Sequence, residues 1–195
     1  MEVVNEFLNW LAFDPGAPLT FTRIGFWGFF AAVLSGFAFL ERRIALRNAF
    51  LFFVSLLFYW KTSGWFFLIL LFSTGSDWWI GKRIAPAEGG ARKGWLALSL
   101  TINLLLLFYF KYAYFFADSL NPILGTQWAP TNALGEAANA VLGTSFRVDR
   151  IALPVGISFY TFQTISYAVD VYRKEIQPVT NPLDFGFYVS FFPQL

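Results

Sequence analysis

Long apolar runs separated by short charged turns constrain this chain more than any other feature of its sequence. A hydrocarbon core about 30 Å thick is crossed by roughly 20 apolar residues in a helix. Ile24 to Leu40 carries no charge, Leu46 to Trp60 is somewhat short, Gly64 to Ile80 holds one acid (Asp77), and Gly94 to Phe116 holds one base (Lys111). Ile151 to Tyr172 is a more polar fifth run, and Asp184 to Leu195 is a sixth of only 12 residues. The expected fold is all-α: a polytopic transmembrane helix bundle of about five to six membrane segments. It forms one membrane domain over residues 1–195, with no internal repeat or linker.

Composition agrees and removes whole classes of function. Only 13% of residues are charged and 57% are hydrophobic, where soluble domains carry roughly 25% charge. Fourteen Lys plus Arg against 12 Asp plus Glu leave a net charge of +2 with no basic stripe, so nucleic acid is not an expected partner. Cys and His are both absent. That removes disulfides, thiolate chemistry, histidine metal ligands and a histidine general base from this chain. No phosphate-cradling or dinucleotide-binding glycine motif is present either.

The charged turns give an orientation. Arg42, Arg43 and Arg47, then Lys82, Arg83, Arg92 and Lys93, then Arg173 and Lys174 fall on one side if the segments alternate. Positive charge marks the cytoplasmic side, which puts a multi-pass protein in the cell (inner) membrane with its N-terminus extracytoplasmic. Glu2, Glu6 and Asp14 make that N-terminus acidic, unlike a signal peptide, so residues 1–22 are expected to stay as a polar or interfacial lead-in. Trp60 and Trp65, Trp78, Trp79 and Trp95, and Tyr109, Tyr112 and Tyr114 stand near the segment ends, where amphipathic rings favour the headgroup level. Residues 117–150 are expected as an extracytoplasmic loop. A short helix over Leu134 to Leu142 is expected within it, capped by Thr131 or Asn132.

Three places hold polar groups inside apolar surroundings. Asp77 is a candidate because an ionisable group within a membrane segment is expensive to bury; its alternative reading is an interfacial acid or a cap close to Lys82 and Arg83. Lys111 is a second candidate, its alternative a snorkelling lysine. In the fifth run Tyr160, Gln163, Ser166, Tyr167 and Asp170 share a helical stripe roughly 120° wide, opposite Phe162, Ile165 and Val169. Such a stripe lines a passage or bonds to neighbouring helices, and the wheel alone leaves both open.

The same run carries a family likeness. Leu153-Pro154-Val155-Gly156-Ile157-Ser158-Phe159-Tyr160-Thr161-Phe162-Gln163, with Ile165-Ser166-Tyr167 and Asp170-Val171-Tyr172-Arg173, resembles the membrane-bound O-acyltransferase family, in its bacterial alginate O-acetyltransferase-like branch. Arg47-Asn48 before Ser55-Leu56-Leu57-Phe58-Tyr59-Trp60, then Asp77-Trp78-Trp79-Ile80-Gly81 and Phe110-Lys111-Tyr112-Ala113, agree in order. Phe191-Phe192-Pro193-Gln194-Leu195 resembles the stretch just before the family's Ala-Gly-Pro element.

The resemblance implies transfer of an acyl group, acetyl above all, to hydroxyls of an exported polysaccharide such as alginate. It implies no prosthetic group and leaves the acyl donor, acetyl-CoA or similar, unidentified. The partners implied are the lipid bilayer, polysaccharide-acetylation proteins and the C-terminal half of the enzyme. The family's general base is a histidine in its later half. A chain without His is therefore expected to be an N-terminal portion, an incomplete fold of that type and inactive alone, and it is assigned no catalytic residue and no metal ligand. A non-enzymatic membrane scaffold subunit and a channel or transporter fragment are the alternatives.

Overall fold

The computed structural model describes residues 19–142 and 147–194. The expected lead-in lies outside them as far as residue 18, as does Leu195. Among the described residues the chain is helical, with no strand. Its helices are α1 (Ile24–Leu40), α2 (Ile44–Ser63), α3 (Phe67–Ile84), α4 (Gly89–Leu107), α5 (Ala113–Leu124), α6 (Ala133–Leu142), α7 (Ile157–Arg173) and α8 (Pro182–Ser190). A tight turn, Gly64–Phe66, separates α2 from α3, and a π-helical turn, Phe108–Tyr112, joins α4 to α5.

Each boundary has a local cause. Gly64 ends α2 in a backbone conformation at φ 59° that a side chain would strain, and its amide bonds to the Trp60 carbonyl. Gly125 (φ 62°) closes α5 in the same way. Asn132 caps α6, its Oδ1 accepting from the Gly135 amide at 2.9 Å. Asn181 caps α8 through the Leu183 amide at 3.0 Å, followed by Pro182 at the first helical position. The polar stretch expected as loop from Ala117 is helical as far as Leu124. Helix formation there follows the backbone hydrogen-bond ladder, which a drop in hydropathy does not interrupt.

Two helical stretches, Ile44–Ile84 (41 residues) and Gly89–Leu124 (36 residues), are long and apolar enough to cross a membrane. Their most apolar windows are only 33% and 28% buried, unlike the core helix of a soluble domain. The first stretch turns back at Gly64–Phe66 into two antiparallel helices. Tyr59, near the end of α2, donates to the Val155 carbonyl just before α7 begins. Gly81, near the end of α3, packs under the Tyr167 ring late in α7. Thus α3 runs alongside α7 and α2 runs against both.

One core joins α2, α3, α4, α7 and α8 through Tyr59, Leu70, Ile80, Leu107, Tyr167 and Phe185; a second packs α1 on α2 around Phe26, Phe29, Phe58 and Phe192. The three basic turns gather at one end. Arg92, at the start of α4, donates to the Tyr172 and Val171 carbonyls at the end of α7, at 3.0 and 2.9 Å. Asn48, at the start of α2, donates to Asp184 Oδ1 at the start of α8, at 2.9 Å.

Candidate functional site

Asp77 stands in the middle of the packed helices, fully buried, because one face of α3 carries Ser73 and Asp77 a helical turn apart. The facing side of α4 carries Ser99 and Asn103 with the same spacing, and α7 carries Thr161 and Thr164. Asp77 Oδ1 accepts from the Ser99 hydroxyl at 2.6 Å, and Oδ2 from Asn103 Nδ2 at 2.7 Å. The second Asn103 N–H reaches the Ser99 carbonyl at 3.0 Å. Asn103 Oδ1 accepts from the Ser73 hydroxyl at 3.2 Å and lies 3.0 Å from the Thr164 hydroxyl, which is also 3.1 Å from the Thr161 carbonyl. Both donors and both lone-pair positions of the Asn103 amide are engaged. Every member of this knot is buried, and Asp77 forms no salt bridge among the described residues.

Chemically the knot is a clamp. It ties α3, α4 and α7 together with bonds that lipid cannot replace, the device by which polar groups hold helices within a membrane. Its signal in the sequence was the pairing of small polar residues at i, i+4 in two apolar runs, Ser73 with Asp77 and Ser99 with Asn103. The stripe of the fifth run did not include it.

That stripe straddles the edge of the buried face of α7, which runs through Ile157, Tyr160, Thr161, Thr164, Tyr167, Ala168 and Val171. Tyr160 is fully buried, and its hydroxyl has no hydrogen-bond partner among the described residues. Tyr167 is buried, its hydroxyl accepting from the Val179 amide at 3.1 Å. Gln163 is half-buried and donates to the Tyr188 carbonyl of α8 at 2.7 Å. Asp170 is half-buried and Ser166 exposed. Along the outer strip of α7, Phe159 and Phe162 are exposed beside Ser166 and Arg173.

Lys111 sits in the π-helical turn, a distortion frequent at functional sites. Its ammonium donates to the Ser158 hydroxyl at 3.1 Å and lies 5.4 Å from the Tyr112 ring centroid. Sequence pieces far apart therefore meet in pairs: Lys111 of the Phe-Lys-Tyr element with Ser158, Gly81 with Tyr167, and Asn48 with Asp184. Beside the turn is an open cleft of about 240 Å³ between Phe108, Tyr109 and Trp128, with few polar groups to orient a ligand. Among the described residues no group of three His, Cys, Asp or Glu side chains is placed to hold a metal ion.

Two long apolar helical stretches clamped by a buried polar knot point, among the described residues, to a helical protein of membrane type. The proteins it matches include bacterial O-acetylases. The chain is 39% identical over 153 residues to the probable alginate O-acetylase of Pseudomonas aeruginosa, covering 76% of this chain and 26% of that protein. It is 38% identical over 160 residues to the probable alginate O-acetylase of Azotobacter vinelandii, covering 76% and 28%. With the peptidoglycan O-acetyltransferase of Helicobacter pylori it shares 28% identity over 200 residues, covering 90% and 34%. The chain thus spans about a quarter of the length of the alginate relatives it matches. No family model and no solved structure matches it. These relatives bear out the resemblance to the alginate O-acetyltransferase-like branch of the membrane-bound O-acyltransferases.

Proposed function

We propose that this chain is the N-terminal portion of a membrane-bound O-acetyltransferase that acetylates hydroxyls of an exported polysaccharide, alginate or a similar glycan, and that it is inactive alone. The observation carrying this reading is the 39% identity to a probable alginate O-acetylase. The absence of His from all 195 residues requires that a histidine general base for the acceptor hydroxyl come from elsewhere.

In this reading five to six segments cross the inner membrane, the basic turns face the cytoplasm, and the N-terminus is outside. The outer strip of α7 supports a larger assembly. Gln163, Ser166, Asp170 and Arg173 have no stable place against acyl chains, whereas the outward residues of α4, such as Leu98, Leu104 and Leu105, do. We assign the strip, with Tyr160 and Tyr167 behind it, to the wall of a passage completed by the remainder of the enzyme.

A chimera tests the function. The matched part of this chain replaces the corresponding segment of the Pseudomonas aeruginosa relative in a strain lacking that gene. Acetyl esters on the secreted alginate are the expected outcome, and a stably inserted chimera that yields none would overturn the reading. The chain alone, in proteoliposomes with acetyl-CoA and alginate, is expected to transfer no acetyl group; steady ester formation there would contradict the assignment of the base to another segment.

A further inference from the structure

One outward line of α3 is continuous from one end of the helix to the other. Leu68, Phe72, Gly75, Trp79 and Arg83 follow at intervals of four, three, four and four residues, which places them on one face, and all five are exposed. Gly75 leaves a notch, since a Cβ there would meet nothing within 4 Å. At 1.5 Å per residue the line is about 22 Å long, the reach of one phospholipid acyl chain.

Its upper end is cationic. The Arg83 guanidinium lies over the Trp79 ring at 4.8 Å, and the Lys82 ammonium over Trp78 at 4.6 Å. Trp79 in turn meets Trp95 of α4 edge to face, with centroids 5.3 Å apart. Stacking fixes a guanidinium by its face and leaves its in-plane N–H groups free to bond an anion. Neither Lys82 nor Arg83 forms a hydrogen bond or ion pair among the described residues. Arg92, by contrast, spends its donors on the α7 carbonyls. The corner between Lys82 and Lys93 carries Lys82, Arg83, Arg92 and Lys93 against Glu88 alone.

We propose that this line binds an anionic phospholipid, its phosphate held by Arg83 and Lys82 and one acyl chain lying along Trp79, Gly75, Phe72 and Leu68. A free phosphate or soluble anion would leave the apolar line below the cations uncovered, and a zwitterionic lipid would leave their charge uncompensated. Binding makes no use of acetyl transfer, so it stands or falls separately from the proposed enzyme activity.

The test measures retention of phosphatidylglycerol by the purified full chain in detergent, by native mass spectrometry and by quenching of tryptophan fluorescence with brominated phosphatidylglycerol. The Lys82→Ala/Arg83→Ala double variant is expected to lose affinity by about thirtyfold, roughly fivefold per cation near a lipid surface. Gly75→Phe, which fills the notch and spares the charges, is expected to reduce quenching. Arg42→Ala/Arg43→Ala, at the same end but on another turn, is expected to retain binding. Circular dichroism establishes that each variant keeps its helix content. Three results would each overturn the proposal: equal retention of phosphatidylcholine, displacement of the lipid by millimolar inorganic phosphate, or an equal loss in the Arg42/Arg43 variant.

Discussion

Replacing Asn103 by Leu tests the clamp directly, because Leu keeps the branched heavy-atom shape and deletes every polar contact. The lost bond to Asp77 Oδ2, 2.7 Å long, is one to a buried carboxyl group, and such bonds contribute about 1.5–3 kcal/mol. The Thr164 hydroxyl keeps the Thr161 carbonyl at 3.1 Å, and Ser73 can turn to its own helix, so the two hydroxyls together add at most about 1 kcal/mol. The sum is about 1.5–4 kcal/mol. Polar couplings inside membranes, averaging about 0.6 and reaching about 1.7 kcal/mol, favour the bottom end of that range. The assay is reversible unfolding by dodecyl sulfate in mixed micelles, followed by far-ultraviolet circular dichroism, with Leu105→Ala on the outward face of α4 as control. That control is expected to stay within about 0.5 kcal/mol of the parent. The Asp77→Leu/Asn103→Leu double variant is expected to lose less than the sum of the single ones, since removing the first partner already forfeits the bond. Strict additivity, or an Asn103→Leu variant as stable as Leu105→Ala, would refute the idea that the knot holds these helices together.

Further outcomes follow from other contacts. A Cβ added at Gly81 would stand 2.7 Å from Tyr167 Cε1 and 2.8 Å from its hydroxyl, so Gly81→Ala is expected to cost about 1–3 kcal/mol in the same unfolding assay, and less when made in a Tyr167→Ala background than in the parent. Gly75→Ala, in the same helix with nothing to meet, serves as the comparison and is expected to be neutral or slightly stabilising. The chain has no Cys, so single cysteines at Arg42 and Arg83 give a background-free topology assay. Both are expected to resist an impermeant thiol reagent added to intact cells and to react after lysis, and rapid labelling of either from outside would reverse the orientation.

Some of this was legible before any fold was known. Hydropathy and charge are properties read along the chain, so the bounds of α1 came out as Ile24–Leu40 and the basic turns fell together at one end. The block from Leu153 to Gln163 likewise pointed to the O-acetyltransferases, because recognition compares residues in order and needs no geometry. The depth and facing of a side chain are different in kind. Beside Lys82 and Arg83 in the sequence, Asp77 has the look of an acid at the membrane surface, yet it is fully buried, because α4 and α7 bring Ser99, Asn103 and Thr164 around the face on which it lies. The stripe of α7 divided for the same reason: Tyr160 and Tyr167 turned inward and Ser166 outward once α3, α4 and α8 had taken their sides. A sequence sets how apolar each helix is and where it starts and stops. Which of its faces is buried is decided by the neighbours that supply hydrogen bonds and close packing, and those arrive from segments dozens of residues away.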